Sequence, residues 1–229
     1  MVWENDKELF SLARKELFTA LVGDVLDKLG YLHQFLPADL KPLDPKMVVI
    51  GRAMPVLEAD VFGEVVKESR NPVMTRPFGL MFEALDDLKE DEVYICTGSS
   101  YNYALWGGLM STRALKLKAA GSVVNGFSRD TNEILRLEYP VFSTGTYAQD
   151  QGPRGKVVDF RIPIEWAGIK IKPGDIIFGD RDGVLVVPAE IENEAFTGAF
   201  EKARGEKMVL KALQNGTSAV DSFKKFGIM

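Results

Sequence analysis

The chain contains one cysteine, Cys96, and one histidine, His33. A lone cysteine excludes an internal disulfide and any cysteine-based zinc cage. Within the apolar run EVYICTG it reads as a buried structural thiol. With a single histidine, a Ser-His-Asp or Cys-His nucleophile system would depend on His33, which lies in the loop-like stretch LGYLHQFLPADL and reads as packed or solvated. Catalysis is therefore left to carboxylates, arginine, lysine, main-chain amides or a metal with oxygen ligands. There is no basic excess either: the net charge of -5 argues against nucleic acid as a principal ligand. A local basic pocket for a small anion is still compatible with it. No run approaches the ~18 apolar residues of a membrane span, and MVWENDKELF at the N-terminus is acidic and lacks an apolar leader core. The expected setting is cytoplasmic, with neither nucleic acid nor membrane as partner.

What is present is ordinary globular material. With 46% hydrophobic and 27% charged residues, the chain can bury a sizeable core. Its 229 residues favour one core with decorated ends. No internal repeat or low-complexity linker divides it. Leu9, Phe10, Ala13, Leu17, Leu21, Val25 and Leu29 recur at helical spacing, with Gly30 as the expected C-cap. MVVIGRAMPVL, residues 47–57, reads as a buried strand interrupted at Gly51. The segment 58–77 reads as mixed, and a helix is expected from Phe78 to Leu88.

Beyond Leu88 strands and helices alternate. Strands are expected at 92–98, 122–126 and 140–145, and helices at 105–119 and from Thr131. This is the pattern of parallel α/β units. KVVDFRIPI, GIKIKPGD, IIFGD and VLVVP then read as short strands with tight turns, and 189–213 as an amphipathic helix before a tail ending FKKFGIM. The prediction is a single α/β domain spanning 1–229, with N-terminal helices in 1–30, a core over 47–188 and a helical arm over 189–229.

Three stretches invite a chemical reading. GDRDGVL, Gly179 to Leu185, begins like a calcium loop but lacks the later ligands. Asp-Gly between two strands reads instead as a hairpin turn with positive φ at both residues. Gly107 and Gly108 sit where a helix begins after a strand, so free main-chain amides there can meet an anion. The third stretch is NGFSRDTNEI, where a strand end carries Arg129 beside Asp130, with Glu133 one helical turn on. A structural ion pair with a helix-first-turn acid would account for these residues. Twenty residues separate Gly108 from Arg129, enough for a helix, a turn and a strand. In a parallel unit the helix start and the next strand's end share one sheet edge, so the glycine amides and the Arg129-Asp130 pair are expected to converge.

Gly108, Arg129-Asp130 and Glu133 at this spacing resemble the signature of the divalent-metal-dependent 4-hydroxy-4-methyl-2-oxoglutarate aldolase and oxaloacetate decarboxylase family. That family shares a superfamily with the regulator of ribonuclease activity A. VIGRAMPV, ALWGGLMSTRA, AGSVVNGFSRD, YPVFSTG and IKIKPGDIIFGDRDGVLVVP are similar to its successive core blocks, over roughly residues 17–190. The resemblance implies an α/β sandwich of the swivelling-domain type, assembled as a homotrimer or a dimer of trimers with sites between subunits. It also implies that Asp130 is the direct protein ligand of Mg²⁺ or Mn²⁺ and that Glu133 reaches the metal through water. By the same resemblance Arg129 binds the keto and carboxylate oxygens of the substrate, and Gly107, Gly108, Leu109 and Met110 hold the carboxylate. Asn125 stands where many members have Asp, and KEDE at 89–92 replaces a more usual turn. A further acid from a neighbouring subunit has only Glu201 and Glu206 as candidates.

The chemistry fits such residues. Cleaving a small 2-oxo diacid by retro-aldol reaction or decarboxylation leaves a pyruvate enolate, whose charge a hard dication and a guanidinium stabilise. Arg129 stays protonated and cannot act as base, so Glu133 is expected to orient or relay the proton through water. Two rivals have distinct marks. A non-catalytic regulator of the ribonuclease type would lack an acid at position 133, and a Schiff-base aldolase would need a buried lysine, whereas Lys116 and Lys118 read as solvated.

Overall fold

A computed structural model describes residues 3–63 and 65–228. Met1, Val2, Glu64 and Met229 lie outside the described residues, and with them the outermost positions of the expected segments 1–30 and 189–229. The helices are α1 (Asp6–Glu16), α2 (Thr19–Lys28), α3 (Met81–Asp86), α4 (Gly108–Lys116), α5 (Thr131–Leu137), α6 (Glu192–Gln214) and α7 (Ala219–Phe226). The strands are β1 (Lys41–Pro42), β2 (Val49–Asp60), β3 (Glu92–Thr97), β4 (Ala104–Trp106), β5 (Gly121–Val124), β6 (Phe127–Ser128), β7 (Val141–Ser143), β8 (Gly145–Thr146), β9 (Gly155–Phe160), β10 (Ile164–Trp166), β11 (Ile169–Ile171), β12 (Ile176–Gly179) and β13 (Val184–Val187).

The main sheet runs β1-β7-β5-β3-β2-β12-β13, with β9 pairing the outer half of β2. Its centre, β2-β3-β5-β7, is parallel, and β12 and β13 join antiparallel. A smaller parallel sheet, β4-β6-β8, stands apart from it. Alternation along the strands assigns side chains to two cores, because successive residues point to opposite faces. Ile50, Ile176, Phe178, Leu185 and Val187 pack with Leu9, Phe10 and Phe196 of α1 and α6. Val49, Ile177, Val184 and Val186 face the other way, toward the cluster that holds Trp106 and Ile134. The α/β architecture is thus the expected one, with helices on both faces.

Several local expectations are corrected. The N-terminal periodicity forms two helices, because Leu17 and Phe18 are extended between them. The second helix has no side-chain cap of its own; Asp180 accepts from the amide and the hydroxyl of Thr19 at 2.7 and 2.8 Å. That cap comes from the far end of the chain. Strand β2 runs through Gly51 unbroken, since glycine lets the Asp91 carbonyl approach where a Cβ would lie 2.3 Å from its oxygen. The helix expected over 105–119 yields its first residues to β4, which pairs with β6. The helix expected from Phe78 is shorter and begins at Met81.

The β12-β13 hairpin is present, but its turn spans Asp180 to Gly183, closed by the Asp180 amide donating to the Gly183 carbonyl at 3.0 Å. Neither Asp182 nor Gly183 takes positive φ, so the two-residue Asp-Gly turn is not formed. At the C-terminus the tail contains α7, whose N-cap Ser218 accepts from the Asp221 amide.

Candidate active site

Two parallel strands, β4 and β6, lie side by side with Ala104 opposite Phe127 and Trp106 opposite Ser128. Each leads directly into a helix. The register therefore sets Gly107 and Gly108, where α4 begins, beside Arg129 and Asp130, where α5 begins. The Arg129 amide continues the ladder by donating to the Trp106 carbonyl at 2.9 Å. Convergence of the glycines with the Arg-Asp pair, expected from spacing, is realised through β4 and β6 rather than through the main sheet.

Asp130 sits in the left-handed region, φ 59° and ψ 36°. Asp is among the residues that tolerate this conformation. The turn aims its carboxylate away from its own helix and across to α4, where Oδ2 accepts from the Gly108 amide at 3.0 Å. A helix N-terminus favours a carboxylate there. The two glycines leave room for these carboxylate side chains: a Cβ on Gly107 would lie 2.8 Å from Asp130 Oδ2, and one on Gly108 would lie 3.0 Å from Glu133 Cβ.

Arg129 bridges two acids. Its NH1 lies 2.8 Å from Asp150 Oδ1 and its Nε 3.9 Å from Asp130 Oδ2. The Gly152 amide donates to Asp150 Oδ2 at 3.0 Å, which fixes that carboxylate in turn. Asp150 and Gln151 were missed by sequence reading because they lie in TYAQDQGPRG, a loop without periodicity. Its acid and amides next to Gly-Pro were the available signal.

A cavity of about 300 Å³ opens here, lined at one end by Gly107, Arg129, Asp130, Asp150 and Gln151. Leu109 and Met110 also line it. The Gly108 amide, expected to hold a substrate carboxylate, is taken by Asp130. Glu133 is exposed, pairs with Arg136 and does not line this cavity. Glu201 and Glu206 lie on α6, and Glu206 pairs with Lys202 at 2.9 Å.

Behind the cavity stands Glu58, 2% exposed, on β2 at the point where its register with β9 shifts. Its Oε2 accepts from Gln151 Nε2 at 2.9 Å, and Oε1 has no partner among the described residues. Burial, reinforced by the nearby Asp60 charge, pushes its carboxyl up to about 8. Burial therefore favours its protonated form. Cys96 is buried, and burial raises its thiol well above the usual range. His33, Lys116 and Lys118 are exposed.

As a metal site the donor set is sparse. No cluster of three His, Cys, Asp or Glu able to hold an ion occurs among the described residues. Asp130 offers a solvent-facing hard oxygen, with one carboxylate oxygen steadied by the Gly108 amide. That suits Mg²⁺ or Mn²⁺, which keep much of their water and accept one or two protein carboxylates. No described helix is long and apolar enough to cross a membrane.

Known proteins share this arrangement of elements. The chain is 29% identical over 202 residues to Protein DlpA of Legionella pneumophila, covering 87% of this chain but only 31% of that protein's length. It is 28% identical over 205 residues to a Halalkalibacterium halodurans protein named "Putative 4-hydroxy-4-methyl-2-oxoglutarate aldolase", covering 90% and 89% of the two chains. A crystal structure described as one of novel cellulases from microbes associated with the gut ecosystem superposes with a TM-score of 0.80 at 32% identity, over 90% of this chain and 88% of that one. The family model described as RraA-like, Aldolase/RraA, matches residues 19–186, and the chain belongs to that family.

Proposed function

We propose that the protein is a divalent-metal-dependent carbon–carbon lyase that cleaves a small 2-oxo acid, by retro-aldol reaction or decarboxylation, through a pyruvate enolate. The observation that carries this reading is the convergence of Arg129, Asp130 and Asp150 on one cavity beside the start of α4. The aldolase name of the Halalkalibacterium halodurans relative supports it. Asp130 would hold Mg²⁺ or Mn²⁺, which when bound supplies Lewis-acid stabilisation of the developing enolate charge.

The chain's own residues account for the other demands. Arg129 presents a planar fork to the keto and carboxylate oxygens, and Asp150 holds that fork in place. In retro-aldol cleavage the C3–C4 bond breaks, its electron pair passes into the enolate, and C4–OH becomes a carbonyl as its proton leaves. Asp150, the other carboxylate lining the cavity, would accept that proton. The enolate then takes a proton at C3 to give pyruvate. Decarboxylation reaches the same enolate by loss of CO₂, so one site serves both.

Pyruvate release from oxaloacetate and from a panel of 4-hydroxy-2-oxo acids tests the reading, with Mg²⁺, with EDTA and with Asp130→Ala, after subtraction of the metal's own solution rate. Turnover that needs metal and disappears in the variant supports it. Wild-type rates no higher than free metal across the panel would sink it and favour the non-catalytic regulator.

A further inference from the structure

Gln151 lines the cavity next to Asp150, yet it is only 4% exposed. Its main-chain carbonyl accepts from the Arg154 and Gly155 amides at 2.7 and 2.9 Å, which closes the loop around it. Its side chain commits one Nε2 proton to Glu58 Oε2 at 2.9 Å. A primary amide carries two such protons. The second has no acceptor among the described residues. A donor held this firmly, at the wall of a cavity and with a proton to give, is suited to an oxygen of a bound ligand.

Glu58 makes the orientation of that amide depend on its own charge. The titratable groups around it are Asp60 on the same strand, Tyr94 and Cys96 on β3, and Tyr103 at the start of β4. Burial raises both tyrosines and the thiol, so all three stay neutral. Against the effect of burial, bonds from Ser100 and Tyr103 hold Asp60 below the usual carboxylate range. On β9, Val157 lies opposite Glu58, and Lys156, opposite Ala59, donates to the Arg76 carbonyl. The neutral carboxyl needs one donor at its carbonyl oxygen, and Gln151 supplies it. An ionised carboxylate in this place would call for donors at both oxygens, and Oε1 has none among the described residues. The Gln151 amide is the donor already in contact, so ionisation draws it back from the cavity.

We infer that Gln151 is a further substrate-binding residue of this site and that Glu58 is its positioning residue: the Glu58 carboxyl holds one amide proton and thereby turns the other toward a substrate oxygen. This rests on the proposed lyase reading for the identity of the ligand as a 2-oxo acid. A neutral donor steadies a developing oxyanion without placing another positive charge beside the metal.

The test separates binding from catalysis. Oxalate, a planar dianion shaped like the pyruvate enolate, is titrated by calorimetry in the presence of Mg²⁺ at pH 7 and pH 9, with circular dichroism to show that each protein is folded at both. Gln151→Met, which keeps the length and removes the donor, should weaken oxalate binding about fivefold or more, as loss of one hydrogen bond implies. Glu58→Met should do the same, and the double variant should lose no more than either single one. Glu58→Gln restores the acceptor and should recover most of the affinity. Wild-type binding should weaken from pH 7 to pH 9, and Glu58→Gln should be free of that change, which a merely structural role would not produce. Should Glu58→Met fail to fold, the pH comparison of wild type with Glu58→Gln decides alone. No binding of oxalate by the wild type, full affinity in Gln151→Met, additive losses, or the same pH dependence in Glu58→Gln overturns the inference. Pyruvate release from the substrate panel is the second arm. The expected binding pattern without turnover would defeat the lyase reading and leave Gln151 and Glu58 in their roles; turnover with unchanged binding in the variants would defeat this inference alone.

Discussion

The Gly108 amide donates to the Asp130 carboxylate at 3.0 Å across 22 positions of sequence, tying the start of one helix to the residue before the next. Two strands in parallel register make this possible, and a left-handed residue completes it. The bond orients the carboxylate that we propose holds the metal.

Adding one methyl group should therefore disturb function without unfolding the protein. In Gly108→Ala the new Cβ meets Glu133 Cβ at 3.0 Å and Asp130 Cβ at 3.3 Å, so both side chains must give way. Metal-dependent pyruvate release is expected to fall about tenfold or more, in line with the sensitivity of catalysis to small misplacements. Circular dichroism and the thermal midpoint should change little. Unaltered kinetics would refute the role assigned to this contact.

Arg129→Lys tests the fork. Lysine keeps the charge but cannot present two parallel donors while also reaching Asp150. A loss of about tenfold to a hundredfold in kcat/KM is expected. Asp150→Asn should remove part of the same effect, so the double variant should lose less than the sum of the two in free energy. Strict additivity measured in that cycle would mean that Asp150 does not act through Arg129.

Glu58 predicts a pH dependence of stability. Its folded value of about 8 lies above the ordinary 4.5, so between these the folded chain keeps a proton that the unfolded chain releases. Stability contributed at this site is fully present below the unfolded value and falls as pH rises toward 8. Glu58→Gln keeps the acceptor for Gln151 and cannot ionise. At pH 9 it should exceed the wild type by on the order of 4 kcal/mol, with the two closer at pH 5. Urea unfolding at both pH values checks this; parallel curves would show that the site does not titrate.

Arg52 fastens three elements: it pairs with Asp6 of α1 at 2.5 Å and with Glu192 at the start of α6, and donates to the Gly174 carbonyl at 3.0 Å. These bonds raise its already high pKa further, against a smaller opposing effect of burial. Arg52→Ala leaves Glu192 largely buried without its partner. A loss of about 2 kcal/mol in chemical denaturation is expected, moderated by the exposure of Asp6. A loss that vanishes at high salt would make the cluster a surface pair.

The periodicities that sequence carries were enough for the α/β class and for most elements, because alternation and helical spacing are local consequences of which face is buried. Spacing was also enough to expect Gly108 beside Arg129 and Asp130, although the chain between them forms α4, β5 and β6, and it is β6 that brings them together. Folding decided what no local pattern encodes. Leu17 and Phe18 break the first helix because Asp180 supplies a cap from the other end of the chain. Gly51 continues a strand because a carbonyl passes close to it. Asp150, Gln151 and Glu58 come together only when a loop, β2 and the two strand-helix junctions meet. Such groups interact through space, and their spacing along the chain carries no record of it.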